Sequence, residues 1–122
     1  MKYQWLDEFC LSKQGVVKDY KEEWEATRYR IRDKMFLMIG GDKYKKPIIS
    51  VKCEPEFGEF LRKEYEHIVP GYHMNKKHWN SIYFEGDVPD DVLKQMINMS
   101  YSLVFNAFSK KMQKEILEKN DD

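Results

Sequence analysis

The middle of the chain carries the clearest pattern of alternating polar and apolar positions. From Thr27 to Arg32 the order is Thr-Arg-Tyr-Arg-Ile-Arg, in which every second residue is an arginine. Successive side chains of a strand point to opposite faces, so this order predicts a strand with one basic face and one apolar face. The basic face would hold Arg28, Arg30 and Arg32, and the apolar face would hold Tyr29 and Ile31.

Two more strands are expected directly after this one. The apolar run from Met35 to Ile39 ends at Gly40 and Gly41, which predicts a buried strand that forms a hairpin with the first. Residues 47–53 begin with Pro47 and predict a third strand after a polar loop at residues 42–46. Connections this short favour an antiparallel meander.

Helical spacing of apolar residues occurs on both sides of these strands. Residues 3–11 predict a first helix, and residues 54–66 predict a second with acidic residues near its positive end. Residues 80–84 predict a fourth strand. From Pro89 onward the apolar residues recur at helical spacing, which predicts a long C-terminal helix with a break near Ser100.

Length and composition indicate one folded unit. The chain has 122 residues, of which 42% are hydrophobic and 15% aromatic, and we expect a single domain over residues 1–122. Its apolar runs are too short to cross a bilayer, and acidic residues occupy the place of a signal's apolar core, so we expect a cytoplasmic protein. Cys10 and Cys53 match neither a redox pair nor a zinc ligand set, which predicts buried reduced thiols.

The charges are unevenly distributed although the formal net charge is zero. A basic segment lies between acidic flanks and contains Arg28, Arg30, Arg32, Lys43, Lys45 and Lys46. Such a local excess of cations is typical of a surface that contacts the phosphates of DNA. The alternative is a solvated sheet face whose arginines pair with Glu22, Glu23, Glu25 or Glu54.

Residues 70–80 follow neither a helical nor a strand period, which predicts a surface loop. Its cationic and imidazole side chains are candidates for contacts with phosphates or another anion: His73, Lys76, Lys77 and His78. Tyr72 and Trp79 are candidates either for base stacking or for core packing. For Trp79 alone, core packing is the favoured interpretation.

The sequence predicts neither catalysis nor a resident metal. Its serines lack the context of a nucleophile elbow, and Gly40-Gly41 is a pair rather than a phosphate-binding loop. The three histidines, His67, His73 and His78, do not have the spacing of a zinc site. We therefore expect no enzyme activity and no cofactor.

Three segments carry a family resemblance: residues 51–56 (Val-Lys-Cys-Glu-Pro-Glu), residues 68–80, and residues 100–104 (Ser-Tyr-Ser-Leu-Val). In this order they resemble the MmcQ/YjbR family. The resemblance implies an α+β fold in which a curved antiparallel sheet has helices packed on one side, similar to frataxin-like and secretion-chaperone-like folds. It also implies DNA binding through a double-wing arrangement, with the basic strand face and the loops as wings.

Two kinds of partner remain for a chain that we expect to be a monomer without a membrane segment. The first is DNA, held by the arginines, lysines and histidines named above. The second is a protein or peptide, received by the sheet face or by a hydrophobic cleft near Tyr83, Tyr101 and Phe105. Binding of DNA through phosphates should weaken steeply with salt, whereas an apolar peptide interface should barely respond.

Overall fold

The computed structural model describes residues 2–71 and 74–119. Within these residues the chain forms, in order, α1 (Leu6–Leu11), β1 (Val16–Lys21), β2 (Ala26–Ile31), β3 (Lys34–Gly41), β4 (Pro47–Lys52), α2 (Pro55–Glu64), β5 (Ile68–Pro70), β6 (Trp79–Tyr83), α3 (Asp90–Ala107) and α4 (Lys110–Lys119). A short 3-10 turn at Glu22–Trp24 connects β1 to β2. No helix in the described ranges has both the length and the apolar character that a bilayer crossing requires.

The six strands form one sheet in the order β1-β2-β3-β4-β6-β5, and every neighbouring pair is antiparallel. This order places residues 22–25 and residues 42–46 at the same end of the sheet, which we call the loop end. The β2–β3 turn at residues 32–33 and the segment at residues 74–78 lie at the opposite end, the turn end. The sequence did not predict β1 or β5, and both are edge strands.

The helices pack on one face of the sheet, as the fold class expected from the sequence requires. On this face Leu37 lies between Tyr29 and Val51 in register, and all three side chains are buried. Helix α1 adds buried Leu6 and Cys10, and α3 adds buried residues at helical spacing: Leu93, Met96, Ile97, Ser100 and Val104. The opposite face, called the open face below, carries Arg28 and the residues in register with it.

The C-terminal region contains a helix break, but not where the sequence predicted it. Ser100 lies inside α3 and is fully buried. Its Oγ donates a hydrogen bond to the Phe36 carbonyl and accepts a 2.8 Å hydrogen bond from the Lys52 backbone N–H. The hydroxyl is thus satisfied by two strands and does not interrupt the helix. The break occurs after Phe108, where Ser109 Oγ accepts from the Met112 N–H at 3.1 Å to begin α4.

Two local predictions need further correction, and one is confirmed. Arg32 is not part of β2, because it has a positive φ of 52° in the turn that follows the strand. The first helix begins at Leu6 rather than at Tyr3, which itself has a φ of 59°. Cys10 and Cys53 are both unpaired and buried, as the sequence indicated.

Candidate nucleic-acid interface

Arg28 and Arg30 lie next to each other on the open face, and both bind the same carboxylate. Arg28 donates from Nε and Nη2 to the two oxygens of Asp19 at 2.8 and 2.7 Å, and Arg30 Nε donates to Asp19 Oδ2 at 3.0 Å. Asp19 is the direct partner of Arg28 across the β1–β2 pair. The hydrogen bond from Arg28, with the charges of both guanidinium groups, holds the pKa of Asp19 below its usual range despite partial desolvation.

The positive charge of this face is therefore partly offset. The sequence left open a pairing of the arginines with nearby glutamates, and the structure shows an acidic partner, but that partner is Asp19. Arg32 does not share the face, because it lies in the turn at the other end of the sheet, where Nη2 is 3.9 Å from Glu115 Oε1 of α4. The predicted stripe of three arginines is thus a pair.

The β3–β4 connection, residues 42–46, is held in shape by Asp42. Its Oδ1 accepts from the backbone N–H groups of Tyr44 at 2.8 Å and Lys46 at 3.0 Å, and its Oδ2 accepts from the Tyr83 hydroxyl at 2.8 Å. Burial of Asp42 acts to raise its pKa, but these hydrogen bonds outweigh burial and the net pKa is lowered. The only carboxylate of the connection is therefore used internally.

The lysines of this connection point into solvent, and we call residues 42–46 the lysine loop. Lys43, Lys45 and Lys46 are exposed, and within the described residues none of them forms an ion pair. Tyr44 is 73% exposed, and Lys43 Nζ lies 5.2 Å from the centre of its ring. The loop thus presents an aromatic ring among three exposed lysines, of which Lys46 also helps to lower the pKa of Asp42 through its charge.

The neighbouring β1–β2 connection has the opposite charge. It contains Glu22, Glu23 and Glu25 around Trp24, whose side chain is 51% exposed. Lys21 Nζ lies 4.9 Å from the Trp24 ring centre, and the Arg28 guanidinium carbon lies 5.7 Å from it. Of these two connections, one is basic and one is acidic, so they are not equivalent wings.

The second group of predicted residues lies at the turn end. Lys76 Nζ donates to the Gly71 carbonyl at 3.1 Å, and Lys77 is exposed. The carbonyl of His78 accepts a 2.7 Å hydrogen bond from the Cys53 N–H, which ties this segment to the residue after β4. His73 and Tyr72 lie outside the described residues.

The described candidates therefore form two groups rather than one patch. Arg28, Arg30 and the lysine loop lie on the open face and at the loop end, whereas Arg32, Lys76, Lys77 and His78 lie at the turn end. Five residue steps along β4, from Pro47 to Lys52, separate the two ends by about 17 Å at a rise of roughly 3.3 Å per residue.

Two further expectations are changed by the structure. Trp79 does not enter the core, because it is the direct partner of Lys52 across the β4–β6 pair and lies half-buried on the open face. The cleft expected near Tyr83, Tyr101 and Phe105 is not formed, because Tyr83 lies on the open face whereas Tyr101 packs against Phe36 on the helical side. In the described part of the chain, no cluster of three or more His, Cys, Asp or Glu residues is placed to hold a metal ion.

Comparison with known proteins finds a matching family model, similar sequences and a similar structure. The YjbR family model matches residues 11–103. The Uncharacterized protein YjbR of Escherichia coli is 28% identical over 113 residues, which cover 93% of this chain and 95% of that protein. The Uncharacterized protein YbdF of Escherichia coli is 35% identical over 92 residues, which cover 75% of each chain. The crystal structure of Deinococcus radiodurans protein DR2400, a DUF419 domain, superposes with a TM-score of 0.79 at 30% identity and covers 91% of this chain and 84% of that one.

Proposed function

The chain belongs to the YjbR family, and from that premise we propose that it binds nucleic acid through the lysine loop. The proposal rests on one observation: the lysines at residues 42–46 are exposed and form no ion pair within the described residues. Three exposed lysines have no ion-pair partner among the described residues, while Asp42 is occupied by two backbone N–H groups and the Tyr83 hydroxyl. Exposed cations that are not held in ion pairs attract a polyanion more effectively than paired ones.

The exposed ring of Tyr44 favours single-stranded over duplex nucleic acid. Bases stack on exposed aromatic side chains only when they are not enclosed in a helix, and cations beside the ring contact the backbone. Lys43 Nζ lies over the Tyr44 ring, 5.2 Å from its centre, so a cation and an exposed ring are adjacent in this loop. The arginine pair contributes less, because Asp19 binds both guanidinium groups.

The acidic connection at residues 22–25 limits the size of the contact. A polyanion that approaches the loop end is attracted by the lysine loop and repelled by Glu22, Glu23 and Glu25. The footprint should therefore be short. With three phosphates neutralised by three lysines, the logarithm of the association constant should fall with the logarithm of salt concentration at a slope of about −2.

Fluorescence anisotropy with labelled single-stranded and duplex DNA, titrated at several salt concentrations, tests this proposal. The key variant changes Lys43, Lys45 and Lys46 to Gln together. The matched control changes Lys110, Lys111 and Lys114 to Gln, since these are exposed lysines of α4 and the loss of net charge is the same. We expect the loop variant to lose binding and salt dependence and the control to retain both.

Equal losses in the two variants would show that net charge, not the lysine loop, governs binding. Absence of binding to either form of DNA at low salt would refute the proposal. In that case the expected alternative, a protein or peptide partner, would be the function to pursue.

A further inference from the structure

A groove lined by residues of the open face, of the turn end and of the end of α3 includes no residue of the lysine loop. It encloses about 500 Å³, which is within the usual range of roughly 300–1,000 Å³ for small-molecule sites. Trp24 and Trp79 both line it, and the end of α3 contributes Val104, Ala107 and Phe108 at the turn end. The groove therefore offers both aromatic and aliphatic surface to a ligand.

Lys52 and Trp79 bring a cation and an indole ring together in this groove. They are directly opposite across the β4–β6 pair, so their Cβ atoms lie roughly 5 Å apart on the same face. Hydrogen bonds fix both backbones: Ser100 Oγ accepts from the Lys52 N–H at 2.8 Å, and the Trp79 carbonyl accepts from the Gly71 N–H at 2.7 Å. A planar ring packed on the Trp79 indole would lie next to the Lys52 ammonium group.

The charges that line the groove favour an anion. Lys34 and Lys52 both line it, and within the described ranges neither forms an ion pair. Arg28 adds a third cation, although it shares Asp19 with Arg30. Among the described residues that line the groove, Asp33 is the only acidic one, so this lining is positive overall.

We propose that this groove binds a small planar aromatic anion, with its ring against Trp79 and its anionic group held by Lys52 and Lys34. A nucleoside monophosphate and an aromatic carboxylate share this chemistry. The site is separate from the lysine loop, and the inference does not rest on the proposed function.

Isothermal titration calorimetry with two matched pairs of probes tests the groove. The pairs are adenosine monophosphate with adenosine, and 1-naphthoate with 1-naphthamide, and the pair whose anion binds more tightly identifies the source. We expect each binding anion to exceed its uncharged partner by about tenfold or more in affinity, the effect of a hydrogen bond to a charged group. Lys52→Gln should lower the anion's affinity by about the same factor, and Lys63→Gln, an exposed lysine of α2, should leave it unchanged.

The inference would be overturned by no binding of either anion at millimolar concentration, by equal affinity for the charged and uncharged partners, or by full affinity in Lys52→Gln. If Lys52→Gln does not fold, Lys34→Gln serves instead, because Lys34 is exposed at the start of β3. The triple Gln variant of the lysine loop should still bind the anion. Loss of the anion in that variant would place its site on the loop and would also overturn the inference, whereas loss of DNA alone would affect only the proposed function.

Discussion

The Tyr83 hydroxyl donates a 2.8 Å hydrogen bond to Asp42 Oδ2, and this contact joins strand β6 to the lysine loop. Strand β6 is not the neighbour of β3 in the sheet, since β4 lies between them. The bond therefore crosses one strand on the open face. It fixes the position of a loop that carries three exposed lysines.

Asp42→Asn should lower the melting temperature near neutral pH. The pKa of Asp42 is lowered in the folded protein, so its contribution to stability is present above the ordinary carboxyl pKa of about 3.9 and is lost as the pH falls through the folded value. The difference between wild type and variant should therefore shrink toward pH 3. Thermal unfolding followed by circular dichroism over pH 3–7 measures it.

Asp33→Asn is the control for that measurement. Asp33 is exposed, and its substitution removes the same single negative charge. Equal changes in the two variants would assign the effect to net charge. A constant difference between Asp42→Asn and wild type across the whole range would show that the carboxylate charge of Asp42 is not what stabilises the loop.

Asp19→Asn should strengthen the binding of single-stranded DNA. The substitution removes the carboxylate that Arg28 and Arg30 share, which leaves two guanidinium groups on the open face without their acidic partner. Anisotropy titrations at low and at physiological salt should show a tighter complex with a steeper salt dependence. Asp7→Asn is the control, because it also removes one negative charge but does so beside Lys18.

An unchanged salt slope in Asp19→Asn would show that the arginine pair takes no part in binding. An equal gain in the Asp7→Asn control would assign the effect to net charge alone.

Ser100→Ala should destabilise the protein by about 1–3 kcal/mol, the usual penalty for leaving buried hydrogen-bonding groups unsatisfied. The Phe36 carbonyl and the Lys52 N–H would each lose the Ser100 hydroxyl as a partner. Urea unfolding at neutral pH measures the change. Ser102→Ala, at an exposed position of the same helix, should have almost no effect, and similar losses in the two variants would contradict the role assigned to Ser100.

The two thiols should be unreactive in the folded protein. Burial raises the pKa of Cys10 to about 12 and that of Cys53 to about 11, so few thiolates exist at pH 8. A thiol-specific reagent should modify both residues rapidly in denaturant and very slowly in buffer. Rapid modification without denaturant would show that one of the two sites opens.

The same pKa values set the response to alkali. Because the folded pKa of each thiol is raised, the stability from burying it is present below the ordinary thiol pKa of about 8.5 and declines as the pH rises above it. Urea unfolding between pH 7 and pH 10 should show this decline. The Cys10→Ala variant should show a smaller one.

Much of the sheet could be predicted from the sequence because its central strands are buried. Tyr29 and Ile31 alternate with arginines in β2, and β3 contains the buried run Phe36, Leu37 and Met38. Strand β1 gave no such signal, because it lies at the edge of the sheet and leaves Val17 and Tyr20 46% and 60% exposed. Strand β5 has only three residues, too few for a period.

Because the sequence did not predict β1, it also did not predict the acidic partner of the two arginines. The carboxylate of Asp19 reaches Arg28 only because β1 and β2 pair in a register that sets the two residues opposite each other. Sequence distance gave no reason to prefer Asp19 over the glutamates that follow it. The groove was missed for a related reason, since the neighbours Lys52 and Trp79 are 27 positions apart in the chain and meet only through the β4–β6 register.

The position of β1 at the edge also bears on how the protein behaves when it is concentrated. Within the described part of the chain, β1 pairs with β2 on one side and has no strand on the other. Charged Lys18, Asp19 and Lys21 are interspersed with Val17 and Tyr20 along this edge, and Lys18 also binds Asp7 at 2.7 Å. A strand added from a second molecule would have to enclose these charges, so the edge discourages polymerisation by sheet extension.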